Sequence, residues 1–316
     1  MKRWTTLAAA VLAAPALVAA GAGTATAAPQ KSGSAALTPG DAVKRVLSGT
    51  GGVAINQRSR LTVKGDKRLS DFKAPGQVTS GVLGFGGGKV TALDLKSRMV
   101  VAPEVREEIK KADEELAQLA LEPVHVISVG NVNYVNSEFF AQYLPTGKTW
   151  VSSPTKGQAV WPLDTNPNAV DPASLNGMWN LLTSKGTKKP GGTYDGVKTT
   201  VYGIKTTMGE LAKAEASKGG KPVYVPKGKE AKSPVTIKIW LGSDQLPRRA
   251  QVSLSMKIGR ATLTQNSITD LTAWGKPVNI TAPDPSLVIS AEDLPQPLFP
   301  GLLDDALRLD PKRVLS

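Results

Sequence analysis

The chain has 316 residues, with 39 Lys plus Arg against 26 Asp plus Glu, a single His and no Cys. Without cysteine there is no disulfide framework, no Cys-ligated zinc or iron–sulfur site, no cysteine nucleophile and no Cys-borne lipid anchor. His125 alone cannot build a multi-histidine metal centre. Hydrophobic residues at 41% and charged residues at 21% suit a globular chain, and 31 Gly with 23 Pro make it turn-rich without a disordered composition.

Lys2 and Arg3 precede an apolar run from Leu7 to Ala20, interrupted by Pro15, and Ala25-Thr26-Ala27 follows as a small-residue cleavage site. This pattern predicts a secretory signal peptide over residues 1–28. Loss of Lys2 and Arg3 takes the formal charge from +13 to +11. Residues 29–48 read as a polar lead-in followed by a short helix with Ala42, Val43, Val46 and Leu47 on one side. Period-two alternation then dominates. VTSGVLGF and KVTALDLK flank Gly86-Gly87-Gly88 as a hairpin over 78–97. Pro103 to Leu121 predicts an amphipathic helix with Val105, Ile109, Ala112, Leu116 and Leu119 or Ala120 on one stripe, started by Pro103 and Glu104. Residues 124–135 read as strand, with Val124, Val126, Val132 and Tyr134 expected on one face. Asp171 to Leu182 predicts a helix capped by Asp171, and Met208 to Ser217 a weaker one. Near the end, Val235, Ile237, Ile239 and Leu241 alternate with Thr236, Lys238 and Trp240; Val252, Leu254, Met256 and Ile258 repeat the pattern, and 261–274 continues it less cleanly. The order predicts an α+β fold: an antiparallel sheet with helices packed on one face.

Catalytic constellations are sparse. His125 lies in the strand-like VHVISV, no G-x-S-x-G elbow exists, and Gly147-Lys148-Thr149 lacks the earlier Gly of a phosphate loop because residue 142 is Gln. Gly84 to Gly88 does not open a helix, and Asp164, Asp171 and Asp195 sit in turn-rich contexts that suit capping. The expectation is no catalytic residue, no cofactor and no metal, with a carboxylate hydrolase as the remaining enzymatic alternative. Between 185 and 232 there are eleven Lys against Asp195, Glu210, Glu215 and Glu230. Such a field attracts anionic membrane surfaces or cell-wall polymers, with Lys198, Lys205, Lys213, Lys218 and Lys221 as candidate contacts. The segment lacks the Arg and interleaved aromatics of a nucleic-acid groove, so no nucleic-acid partner is expected.

KIWLGSDQLPRRAQV at 238–252, followed by TAWGKPVNITAP at 272–283, resembles actinobacterial exported proteins of the LppX/LprG group, within the LolA-like lipoprotein-carrier superfamily. The match rests on Trp240, Asp244, Pro247, Arg248, Arg249, Gly275, Pro277, Val278, Ile280 and Pro283. Asn133 to Val135 with Leu144 to Val151, and Tyr194-Asp195-Gly196-Val197 with Tyr202, resemble two further hairpins of the group. The resemblance implies a half-open antiparallel β-barrel wrapped around a few helices, enclosing an apolar cavity for acylated lipids. It also implies that the matched residues are mostly structural. The lipobox Cys of most relatives is missing, so free secretion or wall retention is expected, from an extracellular monomer.

The sequence therefore predicts a LolA-like domain over 49–290 with a C-terminal extension over 291–316. Its function would be that of a secreted, non-enzymatic carrier or sensor for a lipid or other amphiphile. The candidate ligand cavity is lined by Val124, Val126, Val132, Tyr134, Val235, Ile237, Ile239, Leu241, Val252, Leu254 and Met256. Burial of each methylene there is worth ~0.8 kcal/mol. The alternative is a basic wall-associated interaction protein whose sheet is fully packed.

Overall fold

The computed structural model describes residues 37–65, 76–112, 121–138, 144–154, 172–217 and 226–294. The signal peptide, the lead-in before Leu37, the helix residues 113–120, Gln142, Trp161, Asp164, Asp171, Lys218, Lys221 and the extension from 295 lie outside the described residues.

Four α-helices are described: α1 (Pro39–Leu47), α2 (Pro103–Ala112), α3 (Pro172–Lys185) and α4 (Met208–Ala216). The strands are β1 (Gly51–Lys64), β2 (Gly76–Gly86), β3 (Lys89–Val100), β4 (Val124–Val129), β5 (Val132–Ser137), β6 (Trp150–Pro154), β7 (Thr187–Tyr194), β8 (Val197–Thr207), β9 (Pro234–Gly242), β10 (Pro247–Ile258), β11 (Ala261–Lys276) and β12 (Val288–Ser290). They form one sheet in the order β12-β6-β5-β4-β3-β2-β1-β11-β10-β9-β8-β7. Two meanders, β1 to β6 and β7 to β11, meet at the long antiparallel seam between β1 and β11; only β12 on β6 is parallel. The sheet does not close. Its ends are a three-residue β12 and a β7 that carries exposed Lys188, Lys189 and Pro190, features that discourage pairing with another edge. The half-open antiparallel sheet with a minority of helices agrees with the predicted α+β class.

Turn chemistry closes the hairpins. Gly87 and Gly88 take φ of 60° and 83°, and Asp195-Gly196 take 51° and 73°, the left-handed pair that a two-residue turn between twisted strands requires. Helix α1 starts on Thr38, whose Oγ1 accepts from the Asp41 N–H, with Pro39 in the first turn. It buries Ala42, Val43 and Leu47. Helix α3 buries Leu175, Met178 and Leu182, spaced three and four apart. These side chains share one core with Val53, Ile55, Leu83, Leu95, Val126, Ile204, Ile237, Ile239, Leu241 and Leu271 from the sheet. One face of the sheet, the inner face, is thus covered by α1 and α3, and α4 packs on α3 where Gly177 meets the Ala214 carbonyl. The opposite, outer face carries polar residues: Arg58, Arg60, Lys96 and Arg98 are exposed on β1 and β3.

Glu210 ties α4 to its surroundings. Its Oε2 accepts from the Thr206 hydroxyl at 2.7 Å and its Oε1 from Lys185 Nζ at 3.2 Å. The Thr206 hydrogen bond, followed by Lys185, holds the carboxyl below the ordinary glutamate range. A lowered folded-state pKa stabilises above the carboxylate range and that contribution fades as pH falls through it. Glu210→Gln should therefore lower the thermal midpoint slightly at neutral pH, and the gap from wild type should close in acid. A gap that stays constant across the pH series would remove this role from Glu210.

Candidate functional site

The inner face is layered along the strands, and cross-strand register sets the layers. One row runs Leu271–Ile55–Gly81–Leu95–Val126–Val135–Val151 and belongs to the core shared with the helices. The next inner row runs Thr269–Gln57–Thr79–Ser97–Val124–Ser137 and is polar in all but one place. Its polar side chains are buried, Thr79 to 1% exposure. They satisfy one another: Thr79 and Ser97 hydroxyls meet at 3.0 Å, Gln77 Nε2 donates to Ser97 Oγ at 2.8 Å, and Thr269 Oγ1 donates to Gln57 Oε1 at 3.4 Å. Beyond this belt the next inner row, Ser267–Ser59–Gln77–Met99, is polar in all but Met99, and toward the end of the sheet where β10 turns into β11 apolar inner side chains gather around Gln265. Leu61, Val63, Met99, Leu254, Met256 and Leu263 are half-buried there.

The predicted cavity residues divide among these layers. Val124, Val126, Val235, Ile237, Ile239 and Leu241 are no more than 5% exposed, and they lie in the core with α1 and α3. Val252, Leu254 and Met256 share the inner face with them, because Val252 pairs with Ile237 and Leu254 with Val235. Val132 and Tyr134 do not. Val126 pairs with Val135, while Val132 opposes Val129 and Tyr134 opposes Ile127. The expectation of one common face for Val124, Val126, Val132 and Tyr134 is corrected. A two-residue turn at Gly130-Asn131 makes each odd residue face an even one, so the inward set changes parity between β4 and β5. The polar belt was not foreseen. Its polar members come from five different strands, and only their alignment turns isolated Ser, Thr and Gln residues into a row.

Of the candidate anion contacts, Lys198, Lys205 and Lys213 are exposed but do not gather. Lys198 and Lys205, seven residues apart on β8, point to opposite faces, and Lys213 lies on α4. Lys198 lines a shallow cleft of about 240 Å³ with Lys188, Thr199, Thr200, Tyr202, Leu241, Gly242, Ser243 and Gln245. Lys188 stands 5.7 Å from the Tyr202 ring centre.

His125 is on the outer face. Its Nε2 pairs with Asp94 Oδ1 at 2.7 Å, and its ring meets Trp150 edge-on at 4.9 Å. Asp195 accepts from the Ala273 N–H, a turn-fastening role. Trp240 packs against Tyr194, Trp179 against Tyr202, and Trp274 Nε1 donates to the Pro247 carbonyl. Among the described residues no group of three or more His, Asp or Glu is placed to hold a metal ion, and no helix is long and apolar enough to cross a membrane.

No protein-family model and no curated protein matches this sequence. Among solved structures, a DUF1329 family protein from Desulfovibrio piger aligns over 74% of this chain and 89% of its own, at 12% identity and a TM-score of 0.22. The MucA/MucB complex of Pseudomonas aeruginosa aligns over 78% of this chain and 99% of the matched one, at 8% identity and a TM-score of 0.19. A β-barrel-like protein of DUF1849 from Brucella abortus aligns over 74% and 99%, at 11% identity and a TM-score of 0.16. Likenesses this loose assign no ligand to the chain, and the LppX/LprG group is not among these matches.

Proposed function

We propose that this is an exported, non-enzymatic binding protein of LolA-like architecture that takes a lipid or other amphiphile on the inner face of its half-open sheet. The observation that carries the reading is the set of half-buried apolar side chains beyond the polar belt: Leu61, Val63, Met99, Met256 and Leu263 lie outside the core that the helices cover, and Leu254 packs at the edge of that core. Two methionines in such a zone give it adjustable shape, which suits hydrocarbon tails of varying length. At ~0.8 kcal/mol per methylene, a chain laid along these residues would bind firmly without any catalytic group. The candidate cavity thereby shifts toward Val252, Leu254 and Met256 and away from the positions that α1 and α3 already cover.

A fluorescent fatty-acid analogue, titrated into the protein, tests this directly. Uptake with micromolar affinity is expected, and Leu254→Glu together with Met256→Glu should weaken it at least tenfold. Failure of the wild type to enhance the probe, with no lipid co-purifying in native mass spectra, would end the amphiphile reading.

A second reading has its own support. Arg98 and Arg58 flank Val78 in one outer row, with Arg60 and Lys96 beside them, so the outer face is a cationic, hydroxyl-rich surface. Docking on an anionic membrane or wall polymer would use this face, and retention on such a polymer should fall steeply as salt is raised.

A further inference from the structure

Polar side chains do not stop at the buried belt. One row further out, Ser59 and Ser267 face each other across the β1–β11 seam, with Gln77 beside Ser59 on β2. The row after that places Gln265 between Leu254 and Leu61, and the last places Leu263 between Met256 and Val63. The inner face thus carries an uncharged polar lane along β11, β1 and β2. Val252, Leu254 and Met256 of β10 border it on one side and Met99 of β3 on the other. All of these side chains are half-buried, in contrast to the belt, whose hydroxyls and carboxamides are sealed and bond among themselves. A hydroxyl or a carboxamide can both donate and accept, so the lane has no fixed sense of hydrogen bonding.

Charge at this end of the sheet lies on the other side. Arg58, Arg60 and Lys64 of β1, Arg98 of β3 and Lys257 of β10 take the outer parity and are exposed. Among the described strand residues 57–64, 76–79, 97–100, 252–258 and 261–269, there is no Asp or Glu, and no charged side chain falls on the inner parity. A carboxylate or phosphate laid against the lane would give up water and meet no strand cation. An unpaired charge in that position costs far more than a hydroxyl that finds a partner. Ligand hydroxyls, by contrast, would meet side chains that answer them in either sense.

We propose that the inner face selects acyl lipids whose polar part is uncharged and bears hydroxyl groups, of the monoacylglycerol type, over acyl anions of the same chain length. This rests on the amphiphile reading and specifies its ligand. The tail lies on Leu254, Met256, Leu263 and Val63, and the hydroxylated head meets Ser59 and Ser267. The four-residue step from Ser59 to Val63 covers about 13 Å at about 3.3 Å per residue, so head and tail contacts fall on separate rows of one strand.

Displacement of the bound fluorescent fatty-acid analogue by monolauroylglycerol, laurate and lauryl phosphate separates head from tail. Each competitor is used below its aggregation concentration, at neutral pH and about 0.15 M salt, where the outer-face cations are screened. Monolauroylglycerol should displace the probe at a concentration at least tenfold lower than either anion requires. Ser59→Ala together with Ser267→Ala should remove most of that preference while leaving displacement by laurate unchanged, a split that a purely structural role for the two hydroxyls would not produce. Ser59→Lys, checked for folding by its thermal midpoint, should turn the preference toward the anions. Equal displacement by all three competitors, or stronger displacement by the anions, overturns the head selection and leaves the amphiphile reading in place. A preference that persists undiminished in the double alanine variant also overturns the assignment to this lane. Failure of the wild type to take up the probe or any competitor removes both.

Discussion

Gly177→Ala is expected to destabilise the protein by about 3 kcal/mol, although alanine is the better helix former by about 1 kcal/mol. The sign follows from geometry. A Cβ at Gly177 would stand 2.1 Å from the Ala214 carbonyl oxygen and 2.9 Å from the Glu215 Cα, so the obstacle is backbone and cannot rotate away. Helices α3 and α4 would have to separate, and α3 carries Leu175, Met178 and Leu182 into the core. Urea denaturation checks this through a lower midpoint with an unchanged slope. A stabilised variant would mean that the two helices do not cross at this glycine.

Leu271→Ala should cost about 3–4 kcal/mol, whereas Leu263→Ala, eight residues earlier on the same inner face of β11, should cost only about 1 kcal/mol. Leu271 is 0% exposed and packed among Ile55, Val53 and the α1 side chains of one core. Leu263 pairs with Met256 beyond the polar belt and is half-buried. Truncation of the first leaves a cavity in addition to the lost transfer energy; truncation of the second removes contact that is only partly formed. The pair of denaturation curves tests the layering itself. Equal losses would show that the far end of the inner face is as tightly packed as the core, and the amphiphile reading would lose its surface. If Leu263→Ala is mild and also weakens uptake of the fatty-acid analogue, stability and binding separate along one strand.

Local structure was largely legible from residue pattern. Alternation at 235–241 and 252–258, the Gly86–Gly88 turn, and the three- and four-residue apolar spacing at 172–182 each reappear in the fold as β9, β10, the β2–β3 hairpin and α3. These signals are local because side-chain direction along a strand or helix depends only on its own period. The same logic explains why Val235, Ile237, Ile239 and Leu241 read as apolar and proved to be core: pattern reports that a side chain is hidden, not whether the chain's own helices or a ligand hides it.

Residue order alone determined the composition limits, the absence of cysteine chemistry, the strand and helix periods and the α+β class. Tertiary structure decided what depends on register between distant segments. The β1–β11 seam brings Gln57 opposite Thr269 across more than two hundred positions, and only that pairing makes a buried polar belt. The parity change across the β4–β5 turn sends Val132 and Tyr134 to the outer face. The shift at Pro247 and Arg249 accompanies an arginine left with two unanswered N–H groups. Pairing register is a property of two segments at once, and a one-residue slip inverts every side chain, so no single stretch of sequence contains it.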